Sequence, residues 1–159
     1  MNFADTNWLT SVYIEPHPGD APAVKRRQIV EQFMRRHGGQ LAISHVVLLE
    51  ARNLFSRITG EREPREWQML EADFDGRLYV DPMNWDLLRR ECHALFSRYA
   101  WKAEMGTFDT AIVASAKLAG ATRFLSFDAT ARVIAAAQGI EVFPMLDAAG
   151  KRMAWRLKP

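Results

Sequence analysis

Cysteine is almost missing from this chain of 159 residues. Cys92 is the only one, which excludes an intramolecular disulfide and makes a reducing cytoplasm the simplest home. It lies in "RRECHALF", among residues of helical pattern, and reads as a plain buried thiol rather than a nucleophile. Long apolar runs are missing too. The longest stretches, such as "VVLL" and "AIVASA", fall far short of the ~20 residues that span a bilayer, so no membrane partner is expected. Asp5 interrupts the first apolar residues at once, and nothing there resembles a signal peptide. The four histidines, His17, His37, His45 and His93, are scattered without zinc-ligand spacing, and Cys92 has no partner thiol. Neither charge dominates: the net charge is +2, with a pI near 8.9, which leaves nucleic acid open as a partner without demanding it. Repeats and low-complexity segments are absent.

What remains is globular in character, with 48% hydrophobic and 25% charged residues in a chain of one-domain size. Asn2 to Asp5 reads as a short buried strand, followed by a helix from about Thr6 to Ile14. "EPHPGD" is turn chemistry. Asp20 caps a helix to about His37, with Pro22 in its first turn and Gly38-Gly39 as its stop. "QLAIS" is a second strand, and a helix from about His45 to Thr59 follows. Pro64 opens a helix that ends near Gly76, and "RLYVD" is a third strand. Helices are expected from about Trp85 to Lys102 and from about Thr107 to Leu118. "TRFLSF", a helix from Asp128 to about Gln138, and "IEVF" complete the pattern. The final "KRMAWRLKP" is open, with an edge strand as one option. Short apolar strands alternating with helices indicate a parallel sheet covered on both faces.

That architecture converts separated acids into a geometry. In a parallel sheet the crevice lies beyond the carboxyl ends of the strands. Asp5 and Asp128 directly follow the first and fourth strands. Glu50 lies in the second turn of the helix leaving the second strand, about one turn below the same edge. Asp109 opens a helix that feeds the fourth strand, so its N-terminus starts at that edge as well. Capping alone explains Asp5, Asp109 or Asp128 taken singly. Glu50 sits mid-helix, on a polar stripe with Asn53 and Arg57 beside the apolar arc Val47, Ala51, Leu54, Phe55 and Ile58. Four acids meeting on one rim favour a shared site over four separate accidents. Close carboxylates repel, and a divalent cation removes the conflict; hard oxygen donors select Mg²⁺ or Mn²⁺.

The stretches "FADTNWL", "AISHVVLLEARNLF" and "GTFDTAIVASAKLAGATRFLSFDATARVIAAAQGIEVFP" resemble the PIN-domain family of metal-dependent ribonucleases, most of all the VapC-like toxins of type II toxin–antitoxin modules. The likeness runs from residue 2 to about 144, leaving a basic tail at 145–159 of an expected single PIN-like domain. The family's four acids fall on Asp5, Glu50, Asp109 and Asp128, with Asn7 and Ser126 as polar neighbours that orient a metal ligand or water. Thr110, His45 and the long tail depart from the family pattern. The resemblance implies a three-layer α/β/α fold with five parallel strands ordered 3-2-1-4-5. It also implies Mg²⁺- or Mn²⁺-dependent hydrolysis of single-stranded RNA, an antitoxin partner lying near the helix Ala21–His37, and a homodimer. Lys25 to Arg27, Arg35 to His37, Arg89-Arg90 and Lys151, Arg152, Arg156 and Lys158 are candidate RNA contacts, with solvated helix faces as the ordinary alternative. Trp8 is a core or partner-facing ring, or a base-stacking one. A haloacid-dehalogenase-type phosphatase would need an acid at Asn7. A response receiver would need an acidic neighbour to Asp5 in addition to Asp81. A PIN-like module that binds RNA or protein without cutting stands as the alternative to a nuclease.

Overall fold

In the computed structural model, which describes residues 1–159 other than Asp75 and Ala103, five short strands form one parallel sheet. They are β1 (Asn2–Ala4), β2 (Leu41–Ser44), β3 (Leu78–Asp81), β4 (Arg123–Leu125) and β5 (Glu141–Phe143). Their spatial order is β3-β2-β1-β4-β5, as the resemblance implied. The register places Phe3 beside Ala42 on one side and Phe124 on the other, so the central strand is apolar and shielded from both sides. Phe3, Ala42, Ile43, Phe124 and Leu125 are all buried, as expected for strands covered on two faces.

The helices are α1 (Thr6–Tyr13), α2 (Ala21–His37), α3 (His45–Thr59), α4 (Arg65–Ala72), α5 (Trp85–Tyr99), α6 (Thr107–Leu118), α7 (Ala129–Ala137) and α8 (Ala148–Arg156). The crossovers β1 to β2 to β3 travel one way along the sheet and those from β3 to β4 to β5 travel back. Right-handed connections therefore put α1–α4 on one face and α5–α7 on the other. The packing agrees: α1 touches α2, α3 and α4, while α5, α6, α7 and α8 pack in sequence. Among the described residues, no helix is long and apolar enough to cross a membrane.

Most helix starts are set by side chains the sequence displays. Asp20, Ser44, Asn84, Asp128 and Asp147 each accept a hydrogen bond from a backbone N–H of the first turn. Gly60 ends α3 in the left-handed region, at φ 72°, and its N–H closes on the Ser56 carbonyl. Two boundaries differ from the expectation by three residues or more, and the open tail is now defined. α4 stops at Ala72, before Gly76, because Asp73 turns the chain with its carbonyl accepting from Gly76, Arg77 and Leu78 N–H groups. α5 stops at Tyr99, short of Lys102, where residues 100–102 are all exposed and the chain turns as Lys102 N–H donates to the Tyr99 carbonyl at 2.8 Å. The tail is a helix rather than an edge strand. Its buried positions, Ala154 and Leu157, are spaced three apart, and Asp147 caps it through Gly150 N–H at 2.7 Å.

Trp8 belongs to the core. Its ring stacks on Phe127 at 5.2 Å and meets Phe33 and Phe143 edge-on. Such pairs add about 0.5–1.5 kcal/mol each beyond area burial. Its indole Nε1 is buried without a hydrogen-bond partner among the described residues. On α2, Val30 and Phe33 are buried against this cluster, while Val24, Ile29 and Met34 are only partly covered. The apolar stripe of that helix is thus largely core packing.

Candidate active site

The site is built outward from the end of β1. Asp5 N–H donates to the Leu125 carbonyl at 2.9 Å, which extends the β1–β4 pairing by one residue and fixes Asp5 at the carboxyl edge of the sheet. One of its carboxylate oxygens, Oδ1, accepts from Thr6 N–H at 2.6 Å and caps α1. The other, Oδ2, accepts from the Ser126 hydroxyl at 2.6 Å and from Asn7 Nδ2 at 2.9 Å. Asn7 Oδ1 in turn accepts from Phe127 N–H at 2.8 Å, and Ser126 Oγ accepts from Asp128 N–H at 2.9 Å. These bonds lace the start of α1 to the turn after β4. Asp128 lies in that turn and caps α7 with Oδ1, which accepts from Ala131 N–H at 2.6 Å. Capping therefore occupies only one oxygen of Asp128. The ordinary and the functional readings of this acid are compatible.

Glu50 reaches the same region from α3. Its Oε2 accepts a hydrogen bond from the Thr6 hydroxyl, a contact between residues 44 apart in sequence. No hydrogen bond or ion pair joins it to Asn53 or Arg57 among the described residues. Thr6 is 3% exposed, and sequence reasoning passed over it. The available signal was its place between Asp5 and Asn7 in "ADTN", as a hydroxyl at the first position of α1. Asp109 lies in the first turn of α6, whose N-cap is Gly106. A β-carbon at Gly106 would lie 2.7 Å from Asp109 Oδ2, so the absence of a side chain there makes room for the carboxylate. The glycine three residues before the acid in "GTFD" was a signal the sequence offered and that went unread.

The electrostatics tie the four acids together. Burial is the main force on Asp5, raising its pKa from 3.8 to about 7 against the hydrogen bonds from Ser126 and Thr6; the Glu50 and Asp109 carboxylates raise it further. Asp109 is raised as well, first by burial and then by the charge of Asp128, with the Gly106 backbone opposing. Each acid is thus within the field of another. Among the described residues, no ion pair involves any of the four. Arg132 feels Asp128 but donates to the Asp128 and Pro144 carbonyls, which tethers the turn rather than neutralising a carboxylate.

Hard oxygen donors with surplus negative charge suit a divalent cation. Among the described residues, no group of three or more His, Cys, Asp or Glu side chains is close enough to form a metal cage. A Mg²⁺ ion does not require one, since it keeps several waters and takes one or two carboxylates. The residues present fit such an ion on donor chemistry and charge. His45 stands apart, in a separate groove with Leu48, Leu49, Arg52, Trp67, Pro82 and Trp85. Arg27 is committed to structure: it pairs with Glu31 and Glu15 and donates to the Ser11 and Val12 carbonyls, joining α2 to the end of α1.

The PIN domain family model matches residues 3–137, most of the chain. The chain belongs to the PIN-domain family. No match was found among curated proteins. Solved structures share the fold of this PIN domain at low sequence identity. The toxin VapC20 of Mycobacterium tuberculosis, described as cleaving the sarcin–ricin loop, superposes with a TM-score of 0.66 at 19% identity, over 88% of this chain and 96% of that one. FitAcB of Neisseria gonorrhoeae gives 0.57 at 15% identity, over 90% and 96%. FitAB bound to an IR36 DNA fragment gives 0.56 at 15% identity, over 90% and 94%.

Proposed function

We propose that this PIN domain is an endoribonuclease that hydrolyses phosphodiester bonds of single-stranded RNA with the help of Mg²⁺ or Mn²⁺. The observation that carries the reading is the meeting of Asp5, Glu50, Asp109 and Asp128 at one sheet edge with no paired cation among the described residues. One or two carboxylates drawn from these four, with waters completing the shell, would hold the ion. Bound there, it supplies a lowered pKa for a coordinated water and charge neutralisation at the phosphate under in-line attack. The protein's own part is positioning. Asn7, Ser126 and the Thr6 N–H fix the orientation of the Asp5 carboxylate, and the Thr6 hydroxyl fixes Glu50. Such supporting hydrogen bonds orient metal-ligating groups and tune their basicity.

The likeness to VapC20 supports a toxin role, and the family resemblance supports an antitoxin partner, a homodimer and a cytoplasmic setting. The test is cleavage of single-stranded RNA with Mg²⁺, with Mn²⁺ and with EDTA, for the wild type and Asp109→Asn. Cleavage is expected to need the metal and to drop to background in a variant that melts like the wild type. Full activity in folded Asp109→Asn, or cleavage indifferent to EDTA, overturns the assignment.

A further inference from the structure

A groove of about 510 Å³ opens beside the acids, between α7 and α8. Its volume falls within the roughly 300–1,000 Å³ of small-molecule sites. One end is formed by Ala129 and Thr130, which directly follow Asp128, and by Glu104, which shortly precedes Gly106 and Asp109. The walls are mostly apolar, with Val133, Ile134 and Met153 among them. Polar residues sit at intervals: Lys102, whose ammonium lies 4.4 Å from the Trp101 ring centroid, Thr130, Glu104 and Asp147. Asp147 Oδ1 is already engaged as the cap of α8.

The outer wall is basic. Lys151, Arg152 and Arg156 lie on α8 and Lys158 just beyond it, all exposed, and α8 itself contains no acid. Among the described residues, no ion pair involves any of these four. On the helical wheel Ala154 and Leu157 face the core, Met153 and Ala149 face the groove, and Arg152 and Arg156 form the solvent crest next to that side. The end of α8 is tied to α5, because the Tyr99 hydroxyl donates to the Leu157 carbonyl at 2.9 Å. An apolar slot with a cationic rim matches single-stranded RNA, whose bases leave water against apolar surfaces while its phosphates seek Lys and Arg.

We infer that the α7–α8 groove is a nucleobase subsite for the RNA strand running past the acids, with Arg152 and Arg156 holding its phosphates. This rests on the ribonuclease reading above. The carboxylates on the groove wall would accept from exocyclic amino groups, and Lys102 would donate to ring or carbonyl acceptors. The subsite would thereby select among bases next to the cut.

The experiment uses the full chain carrying Asp109→Asn and a fluorescein-labelled 12-nucleotide oligoadenylate, with affinity measured from low to moderate salt. Filling the groove with Ala149→Leu, which adds bulk and no stacking ring, is expected to weaken binding about tenfold at unchanged salt slope. Arg152→Ala with Arg156→Ala is expected to lower the slope of log affinity against log salt by about 1.4, two single-strand phosphate contacts' worth. Arg62→Ala with Arg65→Ala removes two exposed charges, just before and at the start of α4, outside every candidate RNA contact, and is the control. An equal effect of the control, unchanged binding by both α8 variants, or equal competition by poly-glutamate overturns the subsite. In the cleaving chain, the α8 variants should raise KM and leave kcat unaltered. Oligonucleotide binding that depends on α8 without any cleavage by the wild type would remove the nuclease reading and keep the subsite. Cleavage with unaltered KM in the α8 variants would do the reverse.

Discussion

Replacing Asp5 with Asn in metal-free protein isolates the electrostatic strain at the centre of the site. Asp5 is buried and its pKa stands at about 7, against 3.8 for an ordinary aspartate. Between about pH 4 and pH 7 the folded state therefore holds a proton that the unfolded chain has released. Stability accordingly falls as pH rises through that window and stays low above it. At ~1.4 kcal/mol per tenfold change in proton affinity, the full penalty at pH 8 is about 4 kcal/mol. Asparagine removes it but keeps the acceptor for Thr6 N–H. Its amide nitrogen, however, faces the donor of Asn7, where Asp5 Oδ2 had accepted. A mismatch of that kind costs about 1–2 kcal/mol. The net expectation at pH 8 is stabilisation by roughly 2–3 kcal/mol, an upward shift in Tm of about 4–12 °C for a chain of this size. Near pH 5 the smaller penalty and the mismatch nearly cancel, to a difference of about zero. Thermal or urea unfolding in EDTA at the two pH values measures this directly. An equal effect at pH 5 and pH 8 would refute the claim that Asp5 bears an uncompensated buried charge.

The same charge should make the protein respond to metal. At 100 times the dissociation constant, Mg²⁺ is expected to stabilise the wild type by about 2.7 kcal/mol at pH 8, and Asp5→Asn far less, in the same unfolding assay. Gly106→Ala should leave stability within about 1 kcal/mol, since φ there is −65°, yet reduce cleavage, because the new methyl displaces the Asp109 carboxylate. Thr6→Val removes the hydroxyl that holds Glu50 and should lower kcat with little change in KM. Thr6→Ser should restore activity, and a Thr6→Val enzyme as active as the wild type would show that Glu50 needs no anchor.

The order and type of the elements were legible because their determinants are local. Apolar positions at strand and helix period, and caps such as Asp20 and Asp128, act within a few residues. The position of the four acids at the sheet edge followed from topology alone, as did the proximity of Asn7 to Asp5. α8 was less legible because two of the apolar residues in "KRMAWRLKP", Met153 and Trp155, are exposed and blur the period; its helical face shows only once α7 and Tyr99 are there to cover Ala154 and Leu157. Thr6 and Gly106 were missed since their significance lies in what stands opposite them.

The sequence by itself determined a parallel sheet with its acids on one rim, because chain direction and strand ends are set by short-range pattern. Only the tertiary structure decided which oxygen is free, which is bonded and how far each carboxyl is buried. Those depend on contacts such as Ser126 with Asp5, 121 residues apart, and Thr6 with Glu50. Hydrogen-bond angles and desolvation are properties of groups brought together from distant parts of the chain, and no local pattern encodes them.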